Sequence, residues 1–488
     1  MSSFREWFRH IFRTSLVERP RSAAPDDSTS PLVSMPGSQP ATPYSWASSG
    51  PRPPPEAQPS PPRRTPEVPQ PRPPKLDVNE LIAAAEMSMA QEAAAIVAAD
   101  DHNAFALALH WALGPQRENL IYCPFSIRTA LAMTYAGARG ETANEMRVAL
   151  RASIPEEGFH ADWAATIRRL NPPSGTSYEL AIANSLWSQA GVPLLLSFTD
   201  VMARHYGAAA HAVDFRGDPD AAREAINEWV SACTNHRIPD LLNPPLPEPD
   251  TRLILVNAVY FKGLWERPFD RERTHEAPFF REDGTEVPAP LMHQVTKVGY
   301  KKGPDYQVVN IPYRGLSCRG PALAMLVLLP DRKEGLRDLE AALSVPMIRE
   351  FASLDHPTKV ELFLPRFKIT WGVVDLVAPL RVLGIQRAFT HRADFSGING
   401  CEPPDIDTLF VSHVLHKAFS EVNEEGTEAA AATAVTALCM GIDSDPSPLP
   451  VFRADHAFLF AIVEAKSSAI LFLGRVADPT RESMHRTL

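Results

Sequence analysis

One stretch near the C-terminus constrains this chain more than any other: Glu424-Glu425-Gly426-Thr427-Glu428-Ala429-Ala430-Ala431-Ala432-Thr433-Ala434-Val435. Its run of alanines favours helix by propensity. The strand period of two orders it differently. Thr427, Ala429, Ala431, Thr433, Val435 and Ala437 then share one face, and every residue on that face is small or β-branched. Glu428 falls on the opposite face, and no proline interrupts the run until Pro446. Such a segment can slide between two strands already in place, because no bulky or charged side chain on its inward face obstructs it.

Further blocks are spread over most of the chain. They include Asn119-Leu120-Ile121-Tyr122-Cys123-Pro124-Phe125-Ser126-Ile127, then Gly137-Ala138-Arg139-Gly140-Glu141-Thr142. Leu255-Val256-Asn257-Ala258-Val259-Tyr260-Phe261-Lys262-Gly263-Leu264-Trp265 follows in the middle, and Ala393-Asp394-Phe395-Ser396-Gly397-Ile398 after it. His413-Val414-Leu415-His416-Lys417-Ala418-Phe419 leads into the small-residue stretch. The chain closes with Ala454-Asp455-His456-Ala457-Phe458-Leu459-Phe460 and Ile470-Leu471-Phe472-Leu473-Gly474-Arg475-Val476. In this order the blocks resemble the inhibitory serpins across residues 101–479. Two positions depart from the family pattern: Cys123 stands where serine is usual, and Ala457 where proline is usual.

The resemblance implies an α+β serpin fold with a large central β-sheet, two smaller sheets, eight or nine helices and an exposed reactive loop. It implies a hinge of Gly426, Thr427, Glu428, Ala429, Ala430, Ala431, Ala432 and Thr433. It assigns Ser126, Asn257 and His416 to the shutter beneath the central sheet, and Trp265 to the breach where the sheet first opens. The activity implied is that of a suicide substrate, whose hinge inserts into the central sheet after cleavage and traps the acylated protease. A non-inhibitory chaperone, carrier or scaffold is the alternative. Counted from the hinge glycine as in the family, P1 falls on Met440 and P1′ on Gly441, with Leu438 and Cys439 as P3 and P2. Methionine suits a serine protease with an apolar S1 pocket, of chymotrypsin, elastase or cathepsin G type. Leu438 is another candidate, and Asp443 or Asp445 would select an aspartate-specific protease.

The 488 residues exceed one typical domain, although a body of this family alone takes nearly 400. A net charge of -10 argues against nucleic acid as a partner. The five cysteines, Cys123, Cys233, Cys318, Cys401 and Cys439, follow neither disulfide-framework nor metal-ligand spacing. With no glycosylation sequon and no secretory signal pattern, they lean toward an intracellular protein, the extracellular space of many serpins being the alternative.

Residues 1–19 read as a basic amphipathic segment. Phe4, Trp7, Phe8, Ile11 and Phe12 lie on one helical face and Arg5, Arg9 and Arg13 on the other. Membrane-surface contact, targeting and a plain tail are all compatible with it. Residues 20–76 read as a disordered linker, holding 18 of the 48 prolines. Pro59-Ser60-Pro61-Pro62-Arg63-Arg64 within it matches an SH3-type pattern, although a spacer accounts for it as well. Residues 77–100 read as an extra helix, and 101–488 as the main domain, opening with a helix at 103–112. Helical patterns such as 221–232 come first. Strand-length apolar runs at 252–261, 322–329, 359–365 and 457–463 follow, as in an α+β fold.

No motif points to catalysis. Gly-x-Ser-x-Gly, His-Glu-x-x-His and the phosphate-binding Gly-x-x-x-x-Gly-Lys are all absent. His413 and His416 lie close together, but no cysteine or carboxylate near them in sequence completes a ligand set, so both read as structural. Nothing in the sequence calls for a cofactor or a metal.

Overall fold

The computed structural model describes residues 78–114, 117–170, 178–208, 210–315, 323–354, 356–427 and 448–482. The compact unit that carries the site spans Ala83–Leu488, and only residues 78–82 of the preceding unit, Met1–Ile82, are described. The basic segment, the proline-rich stretch and the SH3-type motif therefore lie outside the described residues.

Ten α-helices occur among the described residues. They are α1 (Val78–Ala112), α2 (Pro124–Tyr135), α3 (Gly140–Ala149), α4 (Glu156–Leu170) and α5 (Leu196–Val201). Then come α6 (Pro219–Cys233), α7 (Leu336–Ala342), α8 (Val345–Ala352), α9 (Val377–Val382) and α10 (Ser396–Asn399). The strands begin with β1 (Leu120–Tyr122), β2 (Tyr178–Gln189), β3 (Ala210–Val213), β4 (Leu253–Leu264) and β5 (His275–Phe280). They continue with β6 (Glu286–Lys302), β7 (Tyr306–Pro312), β8 (Leu323–Pro330), β9 (Pro357–Pro365) and β10 (Phe367–Asp375). Last are β11 (Val411–Val422), β12 (Gly426–Thr427), β13 (Val451–Arg453), β14 (Phe458–Glu464) and β15 (Ile470–Val476).

Two sheets result. The six-stranded central sheet runs β10-β11-β12-β4-β2-β3, with β11 also pairing β4 directly. The other has nine strands, in the order β1-β15-β14-β8-β7-β6-β9-β13 with β5 beside β6. The two smaller sheets expected from the resemblance are thus continuous with each other. The cause is β6, which is 17 residues long and passes from β5 to β9 to β7 along its length. The helices expected at 77–100 and 103–112 are likewise one 35-residue helix, α1. The polar residues at the expected break are partnered, since Asp100 pairs with Arg349 and Asp101 accepts from Ser153.

β4 shows why the central sheet is a core element. Every residue from Leu253 to Phe261 is buried, as an apolar strand covered on both faces must be. Leu253, Leu255, Val259 and Phe261 pack into the main core, while Ile254, Val256 and Ala258 face a second cluster built around Ile226 and Val230 of α6. Helix α2 is buried along its whole length and packs against β2 and β4 on one side and β15 on the other. It therefore lies between the two sheets. Its N-terminus meets the underside of the central sheet where β4 and β11 run together.

Candidate functional site

The central sheet contains an interrupted seam. β11 and β4 pair in parallel through the rungs from His413↔Ile254 to Phe419↔Tyr260. Beyond them the two strands no longer pair, and β12 lies between them, antiparallel to both: Thr427 stands opposite Val422 and Gly263, and Gly426 opposite Leu264. Gly426 and Thr427, where the expected hinge begins, thus form a strand of the sheet.

A tight turn and a ring stack hold them there. The Asn423 N–H donates to Gly426 O at 2.9 Å, closing the turn from β11. The Trp265 backbone N–H donates to Glu425 O and its indole N–H to Asn423 O, both at 2.9 Å. Trp265 is fully buried and stacks on Tyr313 with centroids 4.7 Å apart. The Tyr313 hydroxyl in turn shares a 2.6 Å hydrogen bond with Thr427 Oγ1. Only glycine fits at 426, since a Cβ there would sit 2.0 Å from Gly263 O.

Glu424 anchors the turn from below. Its carboxylate is buried and accepts from Thr274 Oγ1 and from Arg366 Nε at 2.6 Å. Burial alone raises such a carboxyl, but the Arg366 and Thr274 contacts outweigh it and hold the group below its ordinary value.

Ser126, Asn257 and His416, far apart in sequence, meet where α2 begins. Asn257 Nδ2 donates to Ser126 Oγ and to Asn184 Oδ1, both at 2.5 Å. Ser126 Oγ donates to Asn184 Oδ1 at 2.7 Å. His416 Nδ1 bonds Asn257 Oδ1, and its Nε2 accepts the Cys123 backbone N–H at 3.2 Å. That acceptor role fixes the tautomer: the proton is on Nδ1, which donates to the amide oxygen. The network joins β11 to β4 at one rung and both of them to β2 and α2.

The imidazole is neutral. Burial pushes His416 down to about 3, and burial together with Arg128 does the same to His102, whose Nε2 lies 2.7 Å from Ile470 O. A base with a depressed folded value destabilises the fold as pH falls, because the unfolded chain takes up protons that the fold refuses. Each such histidine removes about 1.4 kcal/mol of stability per pH unit below its ordinary value near 6.5. The urea midpoint is therefore expected to be clearly lower at pH 5 than at pH 7.5, whereas equal midpoints would contradict the buried neutral state.

Glu428 to Thr433, Met440, Gly441, Asp443 and Asp445 lie outside the described residues. The sequence also missed several partners. Asn184 carried one signal, an amide inside the apolar strand Leu180-Ala181-Ile182-Ala183-Asn184, where such residues are depleted. Tyr313, Arg366 and Thr274 carried none. His413, read as lacking a carboxylate, has two in space: Asp375 Oδ2 at 2.8 Å and Glu248 Oε2 at 3.5 Å. No group of three or more such side chains among the described residues is placed to hold a metal ion. No helix among them is long and apolar enough to cross a membrane.

This geometry has counterparts. The family model described as Serpin (serine protease inhibitor) matches residues 100–479. The leukocyte elastase inhibitor of Sus scrofa is 39% identical over 385 residues, which cover 77% of this chain and 97% of that protein. An Arabidopsis serpin solved in its native stressed conformation aligns with a TM-score of 0.69 at 27% identity, covering 80% of this chain and 99% of the other. Human thyroxine-binding globulin, complexed with thyroxine, aligns with a TM-score of 0.69 at 28% identity, covering 80% and 100% of the two chains.

Proposed function

The chain belongs to the serpin family, and on that premise we propose that it inhibits a serine protease as a suicide substrate. The target's serine attacks the Met440 carbonyl, the Gly441 amine leaves, and an acyl-enzyme ester joins the two proteins. The freed hinge then runs down the seam between β4 and β11 before water can cleave that ester. The bound protease is carried along and its active site is distorted.

The observation that carries this reading is β12, a hinge strand lodged at the top of the seam in the direction that insertion requires. Its two registers extend consistently. Continued downward on insertion, they would bring Thr433 opposite Asn257 on one side and His416 on the other, the two residues that now face each other across the seam. A hydroxyl therefore arrives at the rung where insertion parts the imidazole from the amide. The new strand also replaces one parallel pairing with two antiparallel ones, which are the more stable per residue.

Methionine at P1 favours a protease with an apolar S1 pocket, as in chymotrypsin-, elastase- or cathepsin-G-like enzymes. Mass spectrometry of the peptide released by such an enzyme is expected to read a new N-terminus at Gly441. A dominant cut after Asp443 or Asp445 would transfer the assignment to an aspartate-specific protease. The likeness to thyroxine-binding globulin favours a second reading, a carrier without inhibitory activity; a loop cut with no covalent complex would support it.

A further inference from the structure

The lower end of the seam carries a second device, separate from the His416 network. We propose that His413, Asp375 and Glu248 form a latch across that end, which must release before the last rungs of the inserting strand can seat. The proposal rests on the insertion reading above.

The imidazole of His413 stands on β11 and has a partner on each side. Nδ1 lies 2.8 Å from Asp375 Oδ2, at the end of β10. The other oxygen of Asp375 accepts the backbone N–H groups of Val414 and Val377, at 3.2 and 3.0 Å, so this partner travels with β11. Nε2 is buried, has no aligned hydrogen-bond partner, and is 3.5 Å from Glu248 Oε2. Glu248 belongs to the approach to β4: its carbonyl accepts the Thr251 N–H at 3.0 Å, just ahead of Leu253. The contact of His413 with Glu248 therefore ties together the two strands that insertion separates.

The register locates the latch on the insertion path. Carried down from β12 into the inserted state, it would set Thr436 between His413 and Ile254, the last rung before the β11 register shifts at Val411. Seating this residue widens the β4–β11 spacing by about 4.8 Å, one strand width. The Asp375 contact survives that movement, and the Glu248 contact does not.

The latch is sensitive to pH. Burial lowers the basicity of His413, but Asp375 and Glu248 outweigh it and raise the group above its ordinary value. On its own strand His416 is neutral, and Lys417 donates to Asp240 O at 2.8 Å. From the approach to β4, Arg252 presents its backbone N–H to Ser412 Oγ at 3.0 Å. The folded value is raised, so the hold on the closed seam is fully present below the ordinary 6.5 and is lost as pH rises through the raised value. Completion of insertion is therefore slower in acid.

The test compares the full chain with its Glu248→Gln variant, which keeps the Asp375–His413 bond and removes only the negative charge opposite Nε2 across the seam. Both are incubated with a chymotrypsin-like protease from pH 5.5 to 8.5, and the amount of SDS-stable complex relative to free cleaved inhibitor is read. Taking the ratio at each pH cancels the protease's own pH dependence. Because Glu248 is more than half exposed, the variant is expected to exceed wild type by only about two- to fivefold at pH 5.5, converging with it by pH 8.5. His413→Gln should behave likewise. A ratio that is flat with pH overturns the latch while leaving the inhibitory reading intact. Absence of complex in both proteins at every pH overturns that reading, and the latch with it.

Discussion

Thr427→Arg is expected to turn the protein from an inhibitor into a substrate. The loop should be cut at the same bond and at a similar rate, while the yield of covalent complex falls at least tenfold. Thr427 is fully buried between β4 and β11, with its hydroxyl on Tyr313. An arginine there forces a long charged side chain into the fully buried position beside the Trp265–Tyr313 stack, and desolvating such a charge costs several kcal/mol. Since each 1.4 kcal/mol is a factor of ten, deacylation overtakes insertion. The hinge is expelled to solvent rather than the fold being lost, so cleavage of the exposed bond persists. SDS gels with a matched cleavage time course check this, and full inhibition by the variant would mean that entry at the breach is not required.

Asn257→Ala should have the largest effect on stability. One amide donates to Ser126 and Asn184 and accepts from His416. Its removal strands the Nδ1–H of a neutral, fully buried imidazole and weakens the tie of both strands to α2. Leaving such groups unpaired is expected to destabilise the closed sheet by about 2–4 kcal/mol. Urea unfolding at pH 7.5 measures it. A loss below about 1 kcal/mol would show that the network is not structural.

Several of the site's parts were legible in sequence because they are local patterns. Of the small-residue stretch, Gly426 and Thr427 form β12, and the alternation beyond them lies outside the described residues. Ser126, Asn257, His416 and Trp265 were named through their blocks. Their partners were not, because contacts such as Asn184 with Ser126 or Arg366 with Glu424 depend on strand register and on how α2 lies beneath the sheet. The same limit hid both carboxylates of His413, which come from the end of β10 and the approach to β4. Strand runs such as 359–365 lie within observed strands for a simple reason: burial on a sheet face leaves its mark on every second residue. The joining of the two smaller sheets through β6 leaves no such mark, since the length of a strand says little about which partners it meets.

The central claim is that the hinge enters the seam while the protease is still attached. The most direct measurement incubates the wild-type chain with a chymotrypsin- or elastase-like serine protease, then combines denaturing electrophoresis with a thermal melt of the cleaved inhibitor. The account predicts a covalent band at the summed mass of the protease and the cleaved inhibitor, together with a cleaved form that melts well above the uncleaved one. Complete cleavage at Met440–Gly441 with no such band and no rise in melting temperature would contradict it.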